Sequence, residues 1–129
     1  MANESIPLWR PGQDISAVAS ANVNGKRCVA WTGGLLPLTS PKTLLTVAHA
    51  GAGLAIAGVA SYDAASGSRV AVQRGRGLVA TLTAGAAITA LAEVEVGTNG
   101  KVITKASGVA IGRALSAGST DADVFVELY

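Results

Sequence analysis

The side chains that most often perform chemistry in proteins are scarce in this sequence. It contains one histidine, His49, and one cysteine, Cys28. A structural zinc site needs about four such ligands, and an internal disulfide needs two cysteines. Asp121 and Asp123, which flank a predicted turn, are too few to form a calcium site. The sequence therefore predicts no metal site and no internal disulfide.

Glycine-rich segments raise the question of nucleotide binding. A P-loop has a glycine five residues before a Gly-Lys pair and Ser or Thr directly after it. Neither Gly25-Lys26 nor Gly100-Lys101 meets either condition. Gly51-Ala52-Gly53 lacks the third spaced glycine of a dinucleotide-binding loop. We therefore expect no cofactor.

The segment from Leu44 to Ala50, which contains His49, resembles the stretch around the catalytic histidine of trypsin-like serine proteases. A catalytic triad also needs a nucleophilic serine and an orienting carboxylate. The Gly-Asp-Ser-Gly-Gly nucleophile motif of that family is absent, and the chain is short for two protease barrels. We expect His49 to be structural and the protein not to be an enzyme.

Two small groups of charged residues have alternative interpretations. Arg69, Arg74 and Arg76 form the densest basic group and could contact phosphate, but no aromatic residue lies near them in sequence to stack on bases. A solvated rim, or an ion pair with an acidic partner, is the interpretation that we favour. Glu93 and Glu95 could form an acid–base pair, yet their alternation with valines predicts the solvated face of a strand.

Short apolar runs separated by turn residues predict a chain made of strands. The Asn-Gly pair within residues 97–100 predicts a hairpin turn between two of these strands, and Asn24-Gly25 is a second turn signal. Helix is expected at most over Ala84–Ala92, and there is no repeat at a solenoid period. The predicted strands are Ile15–Ala19, Arg27–Trp31, Thr43–Ala48, Leu54–Ala60, Arg69–Gln73, Leu78–Leu82, Glu93–Val96, Lys101–Thr104, Val109–Leu115 and Asp123–Leu128.

The composition indicates a protein that assembles with others. Half of the 129 residues are hydrophobic, many of them small, and only 14% are charged. A surface with little charge favours association, and a net charge of +2 is too weak for a typical nucleic-acid binder. No secretion signal or membrane-spanning segment is visible, so we expect synthesis in a cytoplasm.

The first residues differ from the remainder. Trp9 lies between Pro7 and Pro11, and prolines favour extended backbone and reduce the entropy lost on ordering. We expect an extended N-terminal arm at residues 1–12, followed by an all-β domain at 13–129. This domain is expected to be a single compact β-barrel or β-sandwich with at most one short helix.

From Gly58 onward the sequence resembles a family of small tailed-phage proteins that decorate, or cement, the capsid exterior. The resemblance lies in GVASYDAASGSRVAVQ, GLVATLTAGAAITA, VEVGTNGKV, GVAIGRALSAG and the final DVFVELY. The upstream PGQDISAVASANVNGKRCVAW is similar to the opening strands of that family. The chain departs from the family pattern at Leu91-Ala92, where Gly-Asp often precedes the strand. It also departs over residues 35–58, a segment that is longer or more apolar than expected for the family.

The resemblance implies a β-tulip-like virion protein on the capsid exterior. Such a protein would bind the major capsid protein as a homotrimer at three-fold or quasi-three-fold positions, without nucleic acid or membrane as partners. It would stabilise the expanded shell against the pressure of the packaged DNA. An extended arm can add a strand to an exposed sheet edge of a partner, with Trp9 as anchor. The predicted capsid contacts are Ile6, Pro7, Leu8, Trp9 and Arg10.

Two alternatives remain open at this point. The first is another β-structured virion component, such as a tail or head-completion protein, and the second is a β adaptor domain unrelated to phages. Trp9 could also pack against the protein's own barrel or within the trimer.

Overall fold

The computed structural model describes residues 14–35 and 44–129, which form ten β-strands and one turn of 3₁₀ helix at Thr98–Gly100. The predicted all-β fold class is therefore confirmed. The strands are β1 (Ile15–Ala19), β2 (Cys28–Gly33), β3 (Thr46–His49), β4 (Gly58–Ala60), β5 (Arg69–Gln73), β6 (Val79–Thr83), β7 (Glu93–Val96), β8 (Val102–Thr104), β9 (Gly112–Ala114) and β10 (Asp123–Leu128).

The predicted strands are all present, and β1, β5, β7 and β10 have the predicted bounds. The strands β2 and β6 begin one residue later than predicted, and β3, β4, β8 and β9 are shorter than predicted. The run Leu54–Ala60 contains only β4, since a preceding turn is closed by a 3.1 Å hydrogen bond from the Leu54 N–H to the Gly51 carbonyl. Gly53 makes this turn with a φ of 72°, a conformation that glycine adopts readily.

The first five strands close into a barrel in the order β1-β3-β2-β4-β5. The closure is antiparallel pairing of β1 with β5, in which Ile15 is opposite Val72. The pairing of β1 with β3 is parallel, and the other neighbours are antiparallel. Alternation directs Val70 and Val72 of β5 into the barrel, where both are fully buried.

The last five strands form a second sheet in the order β6-β10-β9-β7-β8. A parallel bridge between Ala84, directly after β6, and Val102 of β8 joins the two edges of this sheet. We therefore call it the second barrel. Alternation again directs Val124 and Val126 of β10 inward, where both are fully buried.

The two barrels have the same topology. Strands β1 to β5 correspond in order to β6 to β10, and every pairing of the first barrel has its counterpart in the second, including the parallel one. Two loop bridges also correspond: Val23 with Ala64 in the first barrel, and Ile88 with Gly118 in the second. The fold is thus a tandem duplication, which the search for solenoid periods did not predict.

Individual contacts repeat as well. The N–H of Lys26 donates to the Ala60 carbonyl at 3.0 Å, and the N–H of Leu91 donates to the Ala114 carbonyl at 2.7 Å. Gly58 and Gly112 are equivalent too. An added Cβ would meet the Gln73 carbonyl at the first glycine and the Glu127 carbonyl at the second, and in each case a valine side chain one residue earlier.

The alanine-rich segment Ala84–Ala92 is not helical, so the helix expected there is wrong. Ala84 and Ile88 are buried and held in β-bridges, and Leu91 has a positive φ of 70°. These tertiary hydrogen bonds outweigh the modest helix preference of alanine. The hairpin prediction is confirmed, because β7 pairs with β8 around Asn99 and Gly100, which have φ values of 55° and 73°.

The barrels share part of their core. One apolar cluster fills the first barrel, whereas the other combines the interior of the second barrel with Cys28, Ala50 and Val59 from the first. At this boundary the Gly53 N–H donates to the Val96 carbonyl at 2.8 Å. The two barrels therefore form one packed body.

Candidate interaction face

The residues predicted to contact the capsid, Ile6 to Arg10, lie outside the described residues, as does the whole arm at 1–12. That prediction and the domain boundary at residue 13 stay predictions. Three other sets of residues singled out from the sequence can be located, and the structure brings none of them together as a reactive centre.

His49 lies at the end of β3, where its Nε2 accepts a 3.0 Å hydrogen bond from the backbone N–H of Asn24. Partial burial, followed by the positive charge of Arg27, lowers the pKa of the imidazole below its ordinary value. Within residues 14–35 and 44–129, no serine hydroxyl or carboxylate is hydrogen-bonded to His49. The contact ties the end of β3 to the loop that precedes β2.

The three arginines do not form one patch. Arg69 begins β5, whereas Arg74 and Arg76 follow that strand at its other end, about 16 Å away at the usual rise per residue. In the described part of the chain, no group of three or more His, Cys, Asp or Glu residues is placed to hold a metal ion. No helix found there is long and apolar enough to cross a membrane.

The prediction of a solvated pair of glutamates is wrong for Glu95. Glu95 is only 6% exposed, and its Oε2 accepts hydrogen bonds from the backbone N–H groups of Ala106 and Gly108, at 3.1 and 2.6 Å. The carboxylate therefore fixes the loop after β8. Glu93 is half-buried and accepts a 2.6 Å hydrogen bond from the Tyr129 hydroxyl.

The most conspicuous surface feature is on the outside of the second barrel. Phe125 of β10 is 53% exposed and lies opposite Thr81 of β6. Continuing the ladder of β10 with β9 places Leu115, 42% exposed, on the other side of Phe125, and the Leu115 N–H donates to the Phe125 carbonyl. Side chains opposite each other on one face of a sheet are in contact.

Two further exposed apolar residues lie close to Phe125 and Leu115. The pairing of β9 with β7 ends at Leu91, whose N–H donates to the Ala114 carbonyl at 2.7 Å, while the Ala114 N–H donates to the Ala92 carbonyl at 2.9 Å. Leu91 therefore lies beside the residue that directly precedes Leu115. Val79 lies two residues from Thr81 along β6, on the same face of the strand and opposite Glu127. We call the set Val79, Leu91, Leu115 and Phe125 the apolar face.

The duplicated fold supplies an internal reference for this surface. The equivalent positions of the first barrel contain small or polar residues: Asp14, Lys26, Ser61 and Ala71. Because the strand order and pairing are the same in both barrels, the fold does not require large apolar side chains here. Their presence on one barrel only indicates a contact specific to that barrel.

Leu91 strengthens this conclusion. It adopts a left-handed conformation, with φ of 70°, in a turn closed by the Ala92 N–H and the Thr89 carbonyl at 3.2 Å. The corresponding residues in three other turns are Lys26, Gly67 and Asp121. A leucine in this conformation costs about 1–2 kcal/mol. Residues that break a local rule are most often found at functional sites.

Sequence reasoning located only part of the face. Alternation in β10 predicts that Phe125 and Glu127 share the outer side, and a phenylalanine there is the available signal. Leu91 and Leu115 lie just outside regular strands, in a turn and after β9, where period-two alternation gives no orientation.

Comparison with known proteins found one matching family and a similar solved structure. A family model described as phage cement protein matches residues 9–128. Among solved structures, the chain is similar to the N base of head fiber gp8.5 in bacteriophage phi29, with a TM-score of 0.75 at 19% identity. That match covers 91% of this chain and 93% of the other, and at this identity it shows the fold alone. No curated protein matches the chain in sequence.

The chain therefore belongs to the phage cement protein family. It is a structural protein of the phage particle, and the family implies association with the capsid. The resemblance seen in the sequence is confirmed at this level.

Proposed function

We propose that the protein cements the exterior of the expanded phage head. It binds the major capsid protein as a homotrimer at three-fold or quasi-three-fold positions and stabilises the shell against internal DNA pressure. The observation that carries the proposal is the family match over residues 9–128. A small protein can bind a shell in this way because symmetry repeats each weak contact, and linked contacts reinforce one another.

The proposed role is one of binding, without catalysis, cofactor, nucleic acid or membrane. It is supported by His49 having a backbone N–H as partner and by Glu95 holding a loop. It is also supported by the apolar face, which suits a protein partner. A serine-directed probe should leave the protein unlabelled, and labelling that His49→Ala abolishes would contradict this part of the proposal.

The test of binding is co-sedimentation of the purified protein with expanded heads that lack it. Saturable binding with three copies for each three-fold position is expected, and the loaded heads should retain their DNA to a higher temperature than bare heads. Absence of head binding, or binding to tails instead, would contradict the proposal and favour a tail component.

The arm is proposed as the capsid-facing element, with Ile6, Pro7, Leu8, Trp9 and Arg10 as contacts. A variant lacking residues 1–10 is expected to lose most head binding while keeping its oligomeric state. Full binding by that variant would show that the arm is not the anchor.

Trp9→Ala separates the two roles open to this side chain. Lost head binding with an unchanged free energy of unfolding identifies a capsid anchor. A lower free energy of unfolding in the free protein would instead show that Trp9 packs within the protein. Trp31→Ala is the matched control, since Trp31 is a tryptophan of the barrel, 40% exposed on β2, outside the proposed contact.

A further inference from the structure

We propose that the apolar face of the second barrel binds the first barrel of a second copy of this chain, head to tail. The inference rests on the proposed function and deepens it, because it names the two surfaces through which the homotrimer would assemble.

The first argument is a contact already present within one chain. Three of the four first-barrel positions equivalent to the apolar face, Asp14, Lys26 and Ser61, lie against β6 and β10 of the second barrel. Lys26 donates to Asp123 at 2.7 Å, and the Thr83 N–H donates to the Lys26 carbonyl at 2.8 Å. A groove of about 300 Å³ lies between the barrels here, lined by residues that include Ser61 and Val79. One barrel thus uses this side to contact the next barrel.

The equivalence between the two barrels identifies the surface that the apolar face would contact on a second copy. Strand β1 is the counterpart of β6, so Ser16 and Val18 correspond to Thr81 and Thr83, and Arg69 corresponds to Asp123. Ser16 and Arg69 are exposed, and Val18 is half-buried. We call these three residues the β1 surface. It is the place on a second copy that corresponds to the surface contacted within the chain.

The difference in residue type between the two barrels has a physical reason. Within one chain the connection through residues 74–78 keeps the barrels together, so a polar contact such as Lys26 with Asp123 is sufficient. A contact between separate copies must overcome the entropy of association, which requires burial of apolar area. Leu91 in place of Lys26, and Leu115 in place of Ser61, supply that area.

Charge also favours contact between unlike barrels. Residues 14–77 contain six basic and two acidic side chains, whereas residues 78–129 contain three basic and five acidic ones. The formal charges are therefore +4 and −2. The second barrel of one copy attracts the first barrel of another, and two like barrels repel each other. Beside the apolar face, Glu93 and Glu127 flank Arg113 on the outer side of the sheet, which leaves one net negative charge that Arg69 on the β1 surface would approach.

A contact between two different surfaces is heterologous. It produces a closed ring when the rotation that relates one copy to the next returns to the first copy after a whole number of steps. Three copies joined in this way satisfy every apolar face and every β1 surface. This agrees with the proposed homotrimer.

The test uses sedimentation velocity on three double variants. The face variant, Leu115→Thr with Phe125→Thr, keeps strand-forming residues and removes the apolar area. The β1 variant, Ser16→Glu with Arg69→Glu, reverses the charge of the partner surface. Each is expected to weaken association about tenfold or more. The control, Leu54→Thr with Val109→Thr, removes two exposed apolar residues elsewhere and should leave association unchanged.

Mixing the two variants distinguishes a head-to-tail contact from a symmetric one. Each variant alone is expected to be monomeric, whereas an equimolar mixture should give a dimer, because it contains one intact apolar face and one intact β1 surface. Circular dichroism and melting temperature show that each variant is folded. Unchanged association of the face variant, or no dimer in the mixture, would overturn the inference.

Head co-sedimentation separates this inference from the proposed function. If the face variant still self-associates but no longer binds heads, the apolar face contacts the capsid and the inference is wrong. If the wild-type protein binds heads yet stays monomeric at its highest soluble concentration, the inference also fails while head binding stands. If copies assemble as described and heads are not bound, the proposed function fails alone.

Discussion

Leu91 has a left-handed backbone conformation and a side chain that is 63% exposed. In the monomer its side chain buries little surface, while its backbone is in a conformation that disfavours every residue with a Cβ. The equivalent residue of the first barrel is Lys26, with φ of 61°, and the turn that precedes β5 has Gly67 in the same left-handed conformation, with φ of 86°. Leu91 is thus a residue whose presence the stability of the isolated chain does not explain.

Leu91→Gly is expected to stabilise the dissociated protein by about 0.5–1 kcal/mol. Relief of the left-handed conformation exceeds the extra entropy that glycine adds to the unfolded chain. Urea denaturation at a dilution where copies are separate measures the change. Gly67→Leu is the reverse substitution, at a site with open space around the added Cβ, and should destabilise by a similar amount. A less stable Leu91→Gly protein would show that Leu91 has a structural role.

His49 gives a stability that depends on pH. Its pKa is lowered in the folded protein, so the folded state disfavours the imidazolium, and the contribution is present above the ordinary pKa of histidine and lost as the pH falls through that range. Protonation would also remove the acceptor of the Asn24 N–H. The free energy of unfolding should therefore fall as the pH drops from about 6.5, the ordinary pKa of histidine, to below the lowered pKa of His49.

The matched variant is His49→Gln, whose side-chain oxygen can accept the same hydrogen bond without titrating. The difference in free energy of unfolding between wild type and this variant should change with pH over that window. An equal pH dependence of the two proteins would assign the effect to other groups.

At the scale of strands, β4 approaches β5 as closely as β9 approaches β10. Gly58 and Gly112 permit this approach, because a Cβ at either position would overlap a backbone carbonyl. A backbone cannot yield as the end of a flexible side chain does. These two strands are therefore fixed by the absence of a side chain.

Gly58→Ala and Gly112→Ala are each expected to destabilise the protein by about 1–3 kcal/mol, and by similar amounts. Gly34→Ala is the control, since nothing lies within 4 Å of an added Cβ there, and it should change stability by less than about 0.5 kcal/mol. Thermal and urea unfolding measure all three. A large effect at one glycine only would contradict the equivalence of the two barrels.

The positions of the strands followed from alternation and turn chemistry, as β10 illustrates: Val124 and Val126 point inward and Phe125 outward. The duplication did not follow, because few residues are identical at equivalent positions. Gly58 with Gly112, and Val72 with Val126, are among those few, and glycine and valine are common throughout the chain. Equivalence is a property of the hydrogen-bond network, which many small apolar sequences can form.

The burial of Glu95 was not predictable either. In a strand of alternating Glu and Val, period-two alternation predicts a polar outer side, and it does not report a loop that folds over that side. The loop at 106–108 covers Glu95 and supplies two N–H donors. The apolar face was only partly predictable for a similar reason, since Leu91 and Leu115 depend on turns.

At the scale of the whole molecule, the shared core predicts that both barrels unfold together. Cys28 reports on this directly, because it is fully buried, belongs to the cluster that spans both barrels and has a carbonyl close to Gly100. Burial raises the pKa of its thiol to about 12. Since the thiolate is the reactive form, Cys28 should be inert to thiol reagents in the folded protein.

At a reagent concentration where labelling is faster than refolding, the rate of Cys28 labelling should therefore equal the rate of global unfolding and have the same dependence on urea concentration. Labelling with a disulfide reagent, followed by absorbance, measures the first rate, and tryptophan fluorescence measures the second. Rapid labelling in the absence of urea would show that the barrels separate while each stays folded.

The division of charge between the barrels makes the molecule an electric dipole. In physiological salt its field extends over about 8 Å, so two molecules experience a torque before any of their atoms touch. Unlike barrels are turned towards each other during this approach. The orientation of the contact is therefore selected in the encounter, and added salt should slow assembly more than it loosens the assembled particle.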